Sequence, residues 1–313
     1  MTARTAPGAG PSPYLLLTLT MLFWAGNVVV GRAMAGQVPP VTLAALRWTV
    51  AFLVVLPFGW QGVMRDLPRL KGAWPLMTLL ALLGITVFNT LYYVALTTTE
   101  ATNAALVASI GPALIPLIGW LIDRTRPGAW ALAGLVVALV GVFAIVVRGD
   151  FATLAAFRPR AGDLWLLVTV TVWGLYSVLL RRKPAGVSQM TFLTVTFGLG
   201  LAMLIPPAIV EYALVGGPTM DARAWVAVLY VGILPSAVAF LFWNKAVAAI
   251  GPTTSGLFIF LVPVFSAALA WAFLGEDVHL YHLIGFVLIA AGINLSTRSV
   301  SRDRPPAPDK PGR

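Results

Sequence analysis

Polar and aromatic side chains stand at intervals inside runs that are otherwise oily. The run YLLLTLTMLFWAGNVVVG carries Trp24 and Asn27, and a run in the second half contains VWGLY, with Trp173 and Tyr176. Arg47 sits within another apolar run, Asn89, Tyr92 and Tyr93 in a third, and Trp243 with Asn244 in a fourth. If these runs lie in lipid, each polar group is expensive there and should turn toward the interior of a helix bundle. Asn27 then either meets a solute cavity or makes an interhelical hydrogen bond, worth about 0.6 kcal/mol. Arg47 either meets a substrate carboxylate or snorkels to the outer interface and helix-end carbonyls. Asn89 and Tyr93 are spaced i, i+4 and share a helix face. Rings with sparse amides and hydroxyls suit a small amphipathic solute, apolar part on the rings and polar ends on Asn and Tyr. An ammonium group could also rest on an aromatic face. The competing reading of the same rings is packing between helices.

This chemistry is recognition rather than reaction. The chain has no cysteine, no HExxH and no other catalytic cluster in or near the apolar runs, so an enzyme is not expected. His279 and His282, beside Glu276 and Asp277, could form a metal or proton site but read better as a solvated loop. No metal and no cofactor is implied. Proton relays in membranes use Asp, Glu or His within the spans, and here none stands away from the span ends. The expectation is facilitated export down a gradient, or coupling through an atypical group.

The elements that position these residues follow from composition. Of 313 residues, 59% are hydrophobic and 10% charged, against about 25% charged in a soluble chain. Charges cluster between uncharged runs long enough to span a bilayer of about 20 residues' depth. The fold class is therefore all-α integral membrane. Ten transmembrane helices are expected: Tyr14–Met34, Val41–Trp60, Trp74–Leu96, Thr102–Ile122, Ala129–Val147, Leu164–Leu180, Gln189–Tyr212, Ala224–Val247, Thr253–Leu274 and Tyr281–Ser296. The net charge of +10 does not indicate nucleic acid, because the basic residues sit in short clusters between spans. Ala33–Ala35 loosely mimics a signal cleavage site, but the apolar run before it is too long. Arg65, Arg69, Lys71, Arg124, Arg126, Arg181, Arg182, Lys183 and the basic C-terminal tail fall on one side, which places both termini in the cytoplasm, and the plasma (inner) membrane is the expected location. Residues 1–13 and 298–313 read as disordered tails.

The chain also repeats. Pro112 and Pro263 are 151 residues apart (263 − 112), and the same offset pairs Thr102 with Thr253, Trp120 with Trp271, Gly134 with Gly285 and Gly141 with Gly292. Near the start Trp24 pairs with Trp173 at 149 (173 − 24), and Asn27 with Tyr176. Residues 14–147 and 164–297 thus form two five-helix units joined by the linker 148–163. An odd helix count inverts the second unit, giving two inverted-topology repeats with a site between them. Pro112, Pro116 and Pro263 are either hinges where the repeats rock or static kinks. Gly134 with Gly141, and Gly285 with Gly292, each share a helix face and suit close packing of the fifth and tenth spans, or a dimer. Asn27 and Tyr176 are expected as opposite walls of one cavity.

The first helix with its W-G-x-N-like stretch, LRW in the second, and YYVALTTTEATNAALVASIGPALIPLIGW with its echo FWNKAVAAIGPTTSGLFIFLVPVFSAALAWAFLGE resemble the drug/metabolite transporter superfamily, and within it the ten-helix EamA-type exporters. The resemblance is nearest to aromatic and neutral amino-acid exporters. It implies alternating access around a central cavity, small-molecule substrate and membrane lipid as partners, no nucleic acid, and a monomer or weak homodimer. The alternative is a multidrug or cationic-compound exporter of the same superfamily, a class that usually wants a buried carboxylate. Where the family often has Glu after the fourth span, as the second unit does at Glu276, this chain has Thr125. A role for a symmetric glutamate pair is in doubt. The expected substrate-binding residues are Asn27, Trp24, Arg47, Asn89, Tyr93, Trp173, Tyr176, Trp243 and Asn244.

Overall fold

The computed structural model describes residues 11–302 apart from 35, 36, 97, 100, 125, 151, 153–157, 276 and 278. Thr125 and Glu276 therefore lie outside the described residues, as do Ala35 and most of both tails. All regular structure among the described residues is helical, and nine helical stretches are long and apolar enough to cross a membrane. Bulky side chains such as Phe58, Leu53, Ile209, Leu214, Phe273 and Val287 point outward. So broad an apolar exterior is matched by lipid, not water.

The helices are α1 (Pro13–Ala33), α2 (Pro40–Arg65), α3 (Leu67–Ala81), α4 (Phe88–Leu96), α5 (Ala101–Ala108), α6 (Gly111–Asp123) and α7 (Ala129–Val146), then α8 (Ala161–Leu179), α9 (Gln189–Val215), α10 (Ala222–Val231), α11 (Ala239–Leu257), α12 (Leu261–Leu274) and α13 (Leu280–Arg302). A π-helical turn, Leu82–Val87, joins α3 to α4, and another, Gly232–Val238, joins α10 to α11. Such turns are rare, and they mark functional sites more often than chance allows.

Several boundaries differ from the expectation. The third span begins at Leu67 rather than Trp74, because Pro68 fits the first turn of a helix and lets α3 start directly after Asp66. The fourth span is two helices, α5 and α6. Pro112 lacks an N–H and its ring crowds the carbonyl of Ala108, which is where α5 stops. Around Pro263 the chain passes through a 3₁₀ turn, Phe258–Phe260. The stretch Ala222–Phe273 contains a break at Gly251, whose φ of 80° and ψ of 162° leave the helical region. The last helix runs on to Arg302, past the tail boundary expected at 298, since no proline intervenes before Pro305.

Helices α7 and α13 approach through their glycines. A Cβ at Gly134 would lie 2.3 Å from the Gly292 carbonyl oxygen, and one at Gly141 2.7 Å from that of Gly285. The reverse tests give the same partners. Both glycine faces are thus used inside the chain and leave no surface there for a dimer. One buried core runs through the middle of the bundle, with Trp48, Trp243, Phe192, Phe197 and Phe260 among its most enclosed side chains.

Candidate functional site

Three tryptophans from three helices meet at the centre. Trp24 of α1 and Trp173 of α8 touch edge to face, 5.3 Å between ring centroids. Trp243 of α11 lies 5.5 Å from each. Phe240, one turn earlier on α11, packs on Trp173 and Trp48, and Phe88 of α4 on Trp173. Quadrupoles favour these tilted and edge-on contacts, worth about 0.5–1.5 kcal/mol per pair beyond burial. Trp24 also donates its indole N–H to the Pro235 carbonyl at 3.0 Å. That carbonyl belongs to the second π-helical turn, where the hydrogen-bond ladder shifts register.

The polar residues fall into two groups sharing this aromatic cluster. In the first, Arg47 donates from Nε to Ser236 Oγ at 2.9 Å and from Nη1 to Asn27 Oδ1 at 3.4 Å. Ser236 donates its own proton to the Val231 carbonyl, so its oxygen is oriented to accept from Arg47. Arg47 is only 6% exposed, so it does not snorkel. Both acceptors are neutral, and among the described residues no carboxylate lies within ion-pair distance of it. Three of its five N–H bonds have no protein acceptor among those residues. In the second group, Tyr176 donates its hydroxyl to Asn244 Oδ1 at 3.1 Å, and its ring leans on Trp173.

The structure thus brings together Trp24, Trp173 and Trp243 directly, Asn27 with Arg47, and Tyr176 with Asn244. No hydrogen bond joins Asn27 to Tyr176. Asn89 is buried and donates to the Ile85 carbonyl of its own helix, within the first π-helical turn. Tyr93 falls on α4, and its side chain lies outside what is described. Pro112 and Pro263 stand beside helix breaks, away from these bonds. Sequence reasoning missed Ser236, Trp48 and the Pro235 carbonyl. The PS pair in an apolar run was the available signal for Ser236.

Three nitrogens at the centre are buried without a partner among the described residues: Trp48 Nε1, Trp243 Nε1 and Asn244 Nδ2. All three are donors. Leaving such a group unsatisfied costs about 1–3 kcal/mol. Together with Arg47 they leave more hydrogen-bond donors than acceptors without a partner at the centre, among the described residues. No group of three or more metal-ligating side chains occurs among the described residues, and His282 accepts from the His279 backbone N–H at the exposed start of α13.

The model of the EamA-like transporter family matches twice, over residues 11–147 and 160–298. An uncharacterized transporter of Archaeoglobus fulgidus is 30% identical over 287 residues, covering 91% of this chain and 96% of the relative. The uncharacterized transporter YyaM of Bacillus subtilis is 26% identical, covering 90% and 92%. A protein of Streptantibioticus cattleyicolor named "Probable terminal-alkyne amino-acid exporter" is 28% identical, covering 90% and 92%. One crystal structure superimposes with a TM-score of 0.75 at 24% identity, covering 94% of this chain and 99% of the other, a likeness of fold. Apolar helices, a buried aromatic and polar centre and a doubled family match agree: this chain is a membrane transporter and belongs to the EamA-like transporter family.

Proposed function

We propose that this transporter exports amino acids with aromatic or neutral side chains by alternating access around the tryptophan cluster. The observation that carries the reading is Arg47, a buried guanidinium with neutral neighbours and spare N–H bonds. A solute carboxylate supplies the missing charge, and Trp48, Trp243 and Asn244 offer further donors to its oxygens. The ring faces receive the side chain, and the ammonium group by cation–π attraction. A purely cationic solute meets repulsion from Arg47, whose partners among the described residues are two neutral oxygens and the face of Trp48. The name of the Streptantibioticus relative agrees with this substrate class.

The architecture we propose is ten spans in two inverted repeats. A single helix over the 52 residues Ala222–Phe273 would be about 78 Å long, over twice the hydrocarbon depth of about 30 Å. The break at Gly251 allows two crossings instead. Under exchange of residues 151 apart, the contact Gly134–Gly292 becomes Gly285–Gly141, so the α7–α13 contact maps onto itself, as a two-fold axis requires. The paired π-helical turns and the Trp24–Trp173 contact support the same axis. The bias of basic loops supports cytoplasmic termini, and the membrane we propose is the plasma membrane. The hinges we propose are Pro112, at the break between α5 and α6, and Pro263, in the first turn of α12 after the 3₁₀ turn Phe258–Phe260.

Counterflow in proteoliposomes tests the reading with radiolabelled tryptophan and leucine against tryptamine and a quaternary ammonium compound. Saturable exchange of the amino acids, with tryptamine and the quaternary cation inert, is expected. Exchange of tryptamine or the cation at equal rates refutes carboxylate recognition and favours the cationic-compound reading.

A further inference from the structure

We propose that Asp163 is a latch holding the extracellular end of the transport path shut, and that the structure is the cytoplasm-open state. The assignment of sides rests on the topology proposed above. Asp163 opens α8 and is 7% exposed. Its carboxylate accepts from Thr99 Oγ1, from Asn103 Nδ2 at 3.0 Å and from the Arg160 backbone N–H at 2.8 Å. Asn103 also donates to the Arg158 carbonyl at 2.9 Å. Thr99 and Asn103 belong to the corner between α4 and α5, in the other repeat. Gly162 brings the two backbones together: a Cβ there would lie 2.5 Å from the Ala95 carbonyl oxygen and 2.8 Å from Thr99 Cβ. Beneath this seam Leu166, Ala95, Ala104 and Val107 are packed and buried. A carboxylate at a helix N-terminus with three donors aimed at it is a strong, charge-assisted tie.

Among the described residues the symmetry-related place lacks the tie. The offset of 149 puts Pro13 and Tyr14 where Gly162 and Asp163 stand, and that of 151 puts Ile250 and Thr254 opposite Thr99 and Asn103. There the Tyr14 ring stacks on Phe258 at 6.1 Å. A crevice of about 460 Å³ opens beside them, lined by Tyr14, Phe258, Leu261, Ile293, Asn294 and Thr297. One end carries a buried hydrogen-bonded tie and the other, among the described residues, a crevice in its place. For solute to leave, the Asp163 tie must open and the Tyr14 end must close.

The chain has no cysteine, so single introduced thiols report alone in the full-length membrane-embedded protein. Leu166→Cys reports beneath the latch, and Leu261→Cys in the crevice. With a membrane-impermeant maleimide added outside intact cells, Leu166→Cys should react slowly. Adding Asn103→Ala should speed it about tenfold, the factor one lost charge-assisted hydrogen bond supplies, and Asp163→Ala, which removes three, should speed it more. In inside-out vesicles the same changes should slow Leu261→Cys. Should Asp163→Ala fail to insert, Asn103→Ala, which keeps the carboxylate, carries the test. Unchanged rates overturn the latch, and acceleration of both reporters overturns it in favour of simple destabilisation. Acceleration of Leu166→Cys only from the cytoplasmic side overturns the assigned orientation instead. No outcome depends on the substrate, so failure of the amino-acid reading and failure of the latch are separable.

Discussion

Replacing Arg47 by Gln should weaken substrate binding and spare the empty protein. Two of the three open N–H bonds of Arg47 can grip a carboxylate side by side, and bonds to charged groups contribute about 1.5–3 kcal/mol each. Glutamine retains one neutral amide donor at shorter reach. The net loss should be about 3 kcal/mol, or about a hundredfold in affinity. For the empty protein the sign reverses. A charged side chain at mid-membrane costs about 2.5–3.5 kcal/mol on the insertion scale, and here two neutral oxygens at 2.9 and 3.4 Å are its hydrogen-bond acceptors. Ser236 keeps its bond to the Val231 carbonyl in either case. Purified Arg47→Gln should therefore melt at or above the temperature of the parent when empty. It should lose the upward shift in Tm that saturating tryptophan gives the parent. A clear drop in the empty Tm with counterflow intact would show Arg47 to be a packing element, and the carboxylate argument would fall with it.

Other outcomes follow from the packing. Gly134→Val or Gly292→Val drives a side chain into a carbonyl oxygen of the facing helix and should cost about 1–3 kcal/mol, read as lower Tm, with both positions equally sensitive. Glu211 accepts from the Val41 and Thr42 N–H groups at 2.9 and 2.6 Å, capping α2 from α9. Glu211→Ala should cost about 1–2 kcal/mol of stability, while Glu211→Gln, which keeps one acceptor, loses less. Asp66 is held below its ordinary carboxylate range by hydrogen bonds and charge from Arg65 and charge from Arg69, against the opposing effect of burial. Its folded value is depressed, so its contribution is complete above about pH 4 and fades as pH falls through that depressed value. Asp66→Asn should flatten the decline of Tm below pH 4, and an unchanged acid limb would contradict the pairing.

Apolar run length was sufficient to show a bundle of membrane-length helices, because burial in lipid demands continuous hydrophobic stretches, but nine such stretches stand among the described residues where ten were expected. Matching Trp, Pro and Gly at fixed offsets paired Trp24 with Trp173 as equivalent positions, but that their rings touch was not readable from the offset. The break before Pro112 was readable because proline acts on its own backbone. Partners were harder. Tyr176 finds Asn244 and Arg47 finds Ser236 across 68 and 189 residues, and one sequence carries no trace of which helix face meets which. The π-helical turns left no local signature beyond Pro235 in the second. Asp163 read only as a charge at a span end, since its burial depends on how the α4–α5 corner folds over it.

On the two-repeat architecture proposed above, the halves preserve what a scaffold needs and vary what a solute senses. Self-complementary glycine contacts and paired π-helical turns recur in both halves, and each needs only backbone shape. The polar positions do not recur. At equivalent places Asn27 faces Tyr176, Ser236 matches Ile85, and Asn244 matches Tyr93. A solute with a carboxylate at one end and a ring at the other has no two-fold axis of its own. A symmetric lining would satisfy one end of it and leave the other unpaired, at the cost of a buried unsatisfied group. The same reasoning applies to the ends of the path. Two equal latches would trap the protein closed or leave the choice of side to chance. In the proposed latch, Asp163 against Tyr14 breaks that tie with a difference in hydrogen bonds, and solute binding between them needs only to offset that difference to reverse the open side.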